Sequence, residues 1–577
     1  MSSNTFKLTF ITAAIVSSTT ASAALYQVVE VTPSTTYSYK SSFGVAIQPG
    51  TATGGDDADL GCFDVAASNC DGNSFTLAGE TRSSEVSAGE AVDGLSFREE
   101  APFGMDNRFV YIDSLDDFES YCNNQLRYAT CDAWASVRWT PWASEVTGDQ
   151  TPNAIAFKGK STTGNAIDEG NNVVVNSLTS DGDVVGITST LGSVTDYRRN
   201  SVLGFVGTTS NTFTNDLQTR AWKTNGTYTV GSISTDYTNN KGDYYTSKAA
   251  LWNASGTAVS LSWGDGVSES ESNYLAQGSM RDFVEVEVDS KPMLYGVGYN
   301  TYKSNSANYM NAVVYSVSTS SDIMTANWTS TPIANATVRE NGVSSGDLIY
   351  SNSVAVAVNE NLVAIGEAKR LGSRAYNGAA SNRVFVVKDV TSPSATYLSD
   401  GVFFDGAGGK AGGINNYNEI VGQVDAESIR EVNGKPRSKR AFIYPFKDDS
   451  VKGTNDERRA RFANQSWWLD NLTNGGDYSD HNNQYRIIDA TDINDAGVIS
   501  ATALKCENGY DTTAYNATCG GGNQDETTVA VKLVPIPGAT SSDISARGTD
   551  ETTTERSGAG VGLWMLAVLG FLGFRRK

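Results

Sequence analysis

The 577-residue sequence has one histidine, His481, in the polar stretch Asp480-His481-Asn482-Asn483. Zinc hydrolases that need two histidines on one helix are therefore excluded, and a Ser-His-Asp triad would have to use His481. No C-x-x-C occurs among the six cysteines, which with the missing histidines removes a structural zinc site. No G-x-x-x-x-G-K-[ST] phosphate loop is present. Bases are short: 43 Lys and Arg stand against 65 Asp and Glu, a formal net charge of −22. Such a surface repels phosphate backbones, so nucleic acid is not an expected partner. Helix-favouring runs of Ala, Leu, Glu and Lys are scarce, and long apolar runs occur only at the two ends.

The ends read as export signals. Lys7 opens a weakly basic start, Leu8 to Val16 is apolar, and Ala21-Ser22-Ala23 is an A-x-A cleavage site, so residues 1–23 are expected to be a signal peptide. At the other end Ser557-Gly558-Ala559-Gly560 precedes an apolar run that stops at Arg575-Arg576-Lys577. Ala559 to Phe574 is about 16 residues, or roughly 24 Å as a helix, short of the ~30 Å hydrocarbon core. Gly562, Gly570 and Gly573 weaken it further. A single-span anchor and a processed sorting signal both fit, and the small-residue entry with its abrupt basic stop favours the second.

Between the ends lie roughly 530 residues, too many for one ordinary core unless that core is repeated. Glycine, Ser, Thr, Asn and Asp abound and aromatics make up 10%, a composition of strands and polar turns. A degenerate hairpin recurs in the form A-x-x-[IV]-N-x-x-[GNE]-x-[IV]-[VI]-G. Its copies are Ala411–Gly422, Ala490–Ser500, Ala355–Gly366 and, more loosely, Val174–Gly186. A strand runs to Asn, a polar turn reverses it, and a β-branched pair returns it. Asn and Gly are expected to take the positive φ, and the closing Gly to admit a neighbouring backbone. A second element is a short aromatic strand, at Arg220–Gly226, Lys248–Asn253, Asn311–Tyr315, Asn382–Val387, Arg440–Phe446, Thr528–Lys532 and Asn153–Phe157. Copies some 60 to 90 residues apart fit one propeller blade each. The expected fold is all-β: a β-propeller-like array of six or seven antiparallel blades over residues 24–539.

Ser114–Leu126 breaks the pattern with apolar residues near helical spacing and a capping box from Ser114 to Asp117. A small helical insertion is expected at about 112–135, stapled by a disulfide. The cysteines pair by proximity as Cys62–Cys70, Cys122–Cys131 and Cys506–Cys519, each closing about 9 to 14 residues for roughly 2.5–3 kcal/mol; an oxidising compartment preserves such bridges. Trp134, Trp139, Trp142 and Trp467-Trp468 read as core, with a sugar-binding platform as the alternative. Thr540–Arg556, polar and without apolar period, is expected to be a disordered linker.

No catalytic motif sits in a fitting context. One G-x-S-x-G string occurs, Gly342-Val343-Ser344-Ser345-Gly346, but a strand is expected after it where a nucleophile elbow needs a helix. Gly406–Ala411 matches a loose dinucleotide fingerprint without the helix it requires. Gly520-Gly521-Gly522 reads as a turn. Acidic turns at Asp56-Asp57-Ala58-Asp59 and Asp181-Gly182-Asp183 could take Ca²⁺ but lack EF-hand spacing; no other cofactor is expected.

The tail resembles the GlyGly-CTERM sorting signals of gammaproteobacterial secreted proteins. That resemblance implies cutting by an intramembrane protease near Ser557–Gly560, after passage through the export machinery. The hairpin series resembles HAF-type extracellular repeats. The mature chain is similar to the domain-of-unknown-function family 3466, which carries no activity to transfer. The expectation is an exported cell-surface or extracellular binding module for a protein or glycan. The alternative is a polysaccharide hydrolase with paired carboxylates at the propeller axis.

Overall fold

The computed structural model describes residues 24–550 except 56–57, 84–113, 122, 124–130, 194–199, 214–217, 241, 272–273, 305–306, 337–352, 370–381, 400 and 429–436. The chain folds as a seven-bladed β-propeller of antiparallel sheets. The innermost strands of blades 1 to 7 are Ser41–Ile47, Asn172–Leu178, Thr219–Thr224, Ser279–Val288, Ser353–Val358, Gly409–Ile414 and Tyr485–Ile493. Each lies beside the next, and that of blade 7 lies beside that of blade 1. The N-terminal strand Tyr26–Glu30 pairs antiparallel with Thr527–Pro535, so the two ends of the domain share blade 7 and close the ring. Tyr26 and Val28 on this strand, and Leu25 just before it, are fully buried in the blade 7 core.

The hairpin copies form the first and second strands of blades 2, 5, 6 and 7. As expected, Asn or Gly takes the positive φ in three of these turns, at Gly182, Asn418 and Gly497, and Leu362 takes it in the fourth; the first Asn of the motif has a further role. In Asn359, Asn415 and Asn494 the side-chain carbonyl accepts backbone N–H bonds from the turn, for example from Asn361 and Val363 at 3.1 and 3.0 Å. Positive φ falls three residues later, at Leu362 (67°), Asn418 (60°) and Gly497 (86°). The amide NH₂ of each Asn reaches the following blade: Asn359 to the Asn415 carbonyl at 2.8 Å, Asn415 to Asn494 at 3.2 Å, Asn494 to Gln48 at 3.0 Å. The closing glycine is required by space. A Cβ at Gly366 would stand 2.2 Å from the Val354 carbonyl oxygen and 2.5 Å from the Phe385 ring; Gly422 stands likewise against Lys410 and Phe442.

Six of the seven aromatic segments are third strands, of blades 1, 3, 4, 5, 6 and 7. The seventh, Arg220–Gly226, is instead the innermost strand of blade 3. Its Ala-Trp pattern imitates the third-strand motif, but Thr219–Thr224 pairs on one side only, with Tyr228–Asn239.

The helical insertion is longer than expected. Helices α1 (Leu115–Tyr121) and α2 (Cys131–Val146) lie between the second and third strands of blade 1. Phe118 meets Trp134 and Trp139 at ring distances of 6.2 and 6.5 Å. Disulfides join Cys62 to Cys70 and Cys506 to Cys519. Cys131 is disulfide-bonded, and Cys122 lies outside the described residues. The linker expectation is corrected over residues 540–550. Thr540 caps a short turn at Ser541–Asp543, Ile544 packs on the blade 7 core, and Arg547 is 5% exposed. Hydrogen bonds to backbone, rather than an apolar period, hold this strap, which is why composition missed it.

Candidate axial site

Every innermost strand carries a β-bulge at the same level: Val45, Asn176, Trp222, Arg281, Val356, Gly412 and Thr491. A bulge bends its strand and re-aims a side chain. All seven except Arg281 are partly solvent-accessible in strands otherwise largely buried at their centres. Solvent thus reaches the axis at this level.

The next residue of each strand forms a second layer: Ala46, Ser177, Lys223, Asp282, Ala357, Gly413 and Asp492. Three are charged, from blades 3, 4 and 7. Each is partly solvent-accessible and yet enclosed by protein, as the wall of an internal channel is. Burial raises the Asp282 and Asp492 carboxyls above the ordinary range, against the opposing pull of Lys223. Burial also works against the Lys223 charge, but the two carboxylates outweigh it and hold the ammonium above its ordinary value. Lys223 makes no direct hydrogen bond or ion pair among the described residues.

Both carboxylates bind main chain. Asp282 accepts from its own neighbour Phe283 at 2.9 Å and from Val358 of blade 5 at 3.0 Å. Asp492 accepts from Ile493 at 2.9 Å and from Ile47 of blade 1 at 3.0 Å. The two acids therefore staple blade 4 to blade 5 and blade 7 to blade 1. Ser177 does the same from blade 2, donating to the Trp222 carbonyl at 2.7 Å. Above this layer the Arg281 guanidinium lies 3.5 Å from the Trp222 ring centroid and 5.3 Å from that of Tyr299. The wall is uneven: blades 1, 5 and 6 contribute Val45, Ala46, Val356, Ala357, Gly412 and Gly413, while blades 2, 3, 4 and 7 contribute the polar groups.

The two faces of the ring differ. The Asn turns occupy one. At the other, the second strands of blades 1, 2, 5, 6 and 7 (Leu77–Arg82, Val184–Ser189, Ala364–Lys369, Glu419–Asp425 and Ile499–Lys505) end and the third strands that follow them begin, with α1, α2 and the Cys506–Cys519 disulfide on the same side. On this loop face the second and third strands of blade 3 (Tyr228–Asn239, Gly242–Asn253) and blade 4 (Lys291–Ser304, Ala307–Ser318) run past their innermost strands. Tyr299 and Met310 of blade 4, with Tyr237 of blade 3, pack towards Val356 at the axis.

The residues singled out from sequence lie elsewhere. His481 is in the short helix Ser479–Asn482; its Nε2 donates to the Val28 carbonyl at 3.1 Å on the closing strand. Gly409–Ile414, at the loose dinucleotide string, is a strand with no helix after it. Asp183 pairs with Lys158 at 2.9 Å. Trp467 donates to the Phe462 carbonyl at 2.8 Å, and Arg440 covers Trp468, so both are structural. Ala21, Ala23, Ser344, and Ser557 to Lys577 lie outside the described residues, as do Asp56 and Asp57. Of the axial groups, Asp492 stood in a hairpin copy and Lys223 in an apparent third strand; Asp282 stood in no copy. Aligning the copies on the Ala of A-x-x-[IV]-N exposes the signal: its third position is Ala357, Gly413 or Asp492.

No curated relative matches the sequence. Among solved structures, the BT0996 complex with RGII matches at 11% identity and a TM-score of 0.23, covering 58% of this protein and 90% of that one. A glycoside hydrolase matches at 11% and 0.22, covering 58% and 88%. The α-L-arabinofuranosidase Arb93A of Fusarium graminearum, in complex with an iminosugar inhibitor, matches at 10% and 0.26, covering 89% and 98%. At these TM-scores the likeness carries no argument about activity. A family model matches residues 232–577, more than half of the chain, and the protein belongs to that family, described as Protein of unknown function (DUF3466).

Proposed function

We propose that this protein is an exported, non-catalytic binding module whose ligand enters the axial channel from the loop face. The observation that supports this reading is the use made of the axial carboxylates. A glycosidase needs one acid free to give its proton and a second free to attack or to activate water. Asp282 and Asp492 each engage both oxygens with main-chain N–H groups, and through them fasten adjacent blades. His481 serves the ring closure through its bond to the Val28 carbonyl.

Export follows from the ends of the sequence. Residues 1–23 direct the chain to the export machinery, with cleavage after Ala21-Ser22-Ala23. Residues 557–577 hold it in the membrane until a protease cuts near Ser557, Gly558, Ala559 and Gly560, with Arg575, Arg576 and Lys577 on the cytoplasmic side. Among the described residues no helix is long and apolar enough to cross a membrane. The ligand is a surface protein or glycan. The deciding experiment incubates the exported protein with polysaccharides and assays both retention and release of reducing ends. Retention without release supports the reading. Turnover that is lost in Asp282→Asn or Asp492→Asn overturns it in favour of a hydrolase.

A further inference from the structure

We infer that the axial site binds a neutral, hydroxyl-rich ligand, a saccharide unit presented end-on from the loop face. This rests on the binding reading above and names the ligand class. The charges on the wall select by sign. A free anion entering the layer of Lys223, Asp282 and Asp492 meets two carboxylates, and a free cation meets Lys223 with Arg281 above it. A purely apolar ligand would strip water from all of these groups and return no hydrogen bond.

A hydroxyl both accepts and donates. It can accept from the Lys223 ammonium, which has no direct partner among the described residues, and donate to the lone pairs that Asp282 and Asp492 keep beyond their main-chain bonds. The wall also has two chemistries, as a pyranose has. Ser177, Lys223 and Asp282 from adjacent blades, with Asp492 of blade 7, face hydroxyl edges, while Val356, Ala357 and the two glycines Gly412 and Gly413 of blades 5 and 6 offer a small apolar side for C–H groups. Trp222, half-buried with Arg281 against one face, marks the polar side of the entrance.

The test is calorimetry and tryptophan fluorescence on the full exported protein with galactose, glucose and cellobiose, against galacturonate and glucosamine as charged counterparts. Saturable binding of a neutral sugar is expected, at least tenfold tighter than either charged analogue. Lys223→Gln should weaken it tenfold or more. Val356→Phe, which narrows the channel from the apolar side and leaves every charge in place, should weaken it comparably, and circular dichroism of both variants establishes that the ring is intact. Preference for galacturonate or glucosamine overturns the inference, and so does absence of any sugar binding. Sugar retention unchanged in both variants places the ligand elsewhere: the axial inference falls and the binding module stands. Sugar bound at the axis and then hydrolysed retains the site and overturns the non-catalytic reading.

Discussion

Asn359, Asn415 and Asn494 each serve two structures with one side chain, the carbonyl closing their own turn and the amide reaching the next blade. All three are buried, at 3–4% exposure, so truncation leaves donors and acceptors without water to replace the loss. Asn415→Ala should cost about 1–3 kcal/mol in urea unfolding, and Asn415→Asp should not restore the cross-blade bond, since a carboxylate cannot donate. Arg458 is a stricter case. It is 1% exposed, bidentate to Glu419 at 2.7 and 2.8 Å, and bonded to the Asp495 carbonyl at 2.7 Å. Arg458→Met strands a buried carboxylate and should cost about 3–5 kcal/mol, whereas replacing both partners by apolar residues should cost less. The axial acids give a pH signature. Their folded carboxyls lie above the unfolded value, so the folded state binds those protons more tightly and gains stability as pH falls through the folded pKa. Facing groups are Lys223, Arg281 and the other acid. Measured from pH 7 to pH 4, wild type should gain on Asp282→Asn; a loss instead would mean that Lys223 dominates the carboxylate.

Elements carry the next level of order. The hairpins were legible because turn chemistry is local: Asn, a polar pair and a closing glycine can be read from twelve residues. The bulges were not, since an extra residue shows only against a partner strand. The C-terminal strap was hidden for a related reason. Arg547 donates to the Asp470 and Thr513 carbonyls and to the Asn483 side chain, and Asp550 exchanges bonds with Asn516. Its partners lie in blade 7 and in the Cys506–Cys519 loop. Opening that bridge by Cys506→Ser with Cys519→Ser should remove about 3 kcal/mol of loop constraint. Limited proteolysis should then cut within 507–526 and release the strap; an unchanged cleavage pattern would show that the arginine bonds alone suffice.

At the scale of the whole molecule, ring closure concentrates stability in one strand. Tyr26–Glu30 completes blade 7, and removing Leu25, Tyr26 and Val28 exposes side chains worth about 1.5–3 kcal/mol each. That sum rivals the ~5–15 kcal/mol by which domains are stable. A protein beginning at Thr32 should therefore fail to fold cooperatively, as calorimetry would show by loss of the single transition. The net charge of −22 keeps the surface soluble and phosphate-repelling. The proposed processing of the tail is read by mass spectrometry of the protein recovered from its producing cells and their medium: a C-terminus near residues 557–560 is expected, and an intact Lys577 would indicate a plain anchor.

By itself the sequence determined the repeated hairpin, the all-β class and the local pairs Cys62–Cys70 and Cys506–Cys519. Each depends on residues within a few positions of one another, where backbone geometry, turn chemistry and chain entropy act directly. Tertiary structure alone decided that there are seven blades, that the first strand finishes the last blade, and that Arg220–Gly226 is an inner strand. It alone decided the axial site. Lys223, Asp282 and Asp492 stand far apart in the chain and share no motif, and only the equivalent bulge in three different blades brings them to one level of the axis. A recurring local rule is visible along the chain, whereas the departures from it that make a site become neighbours only once the ring has closed.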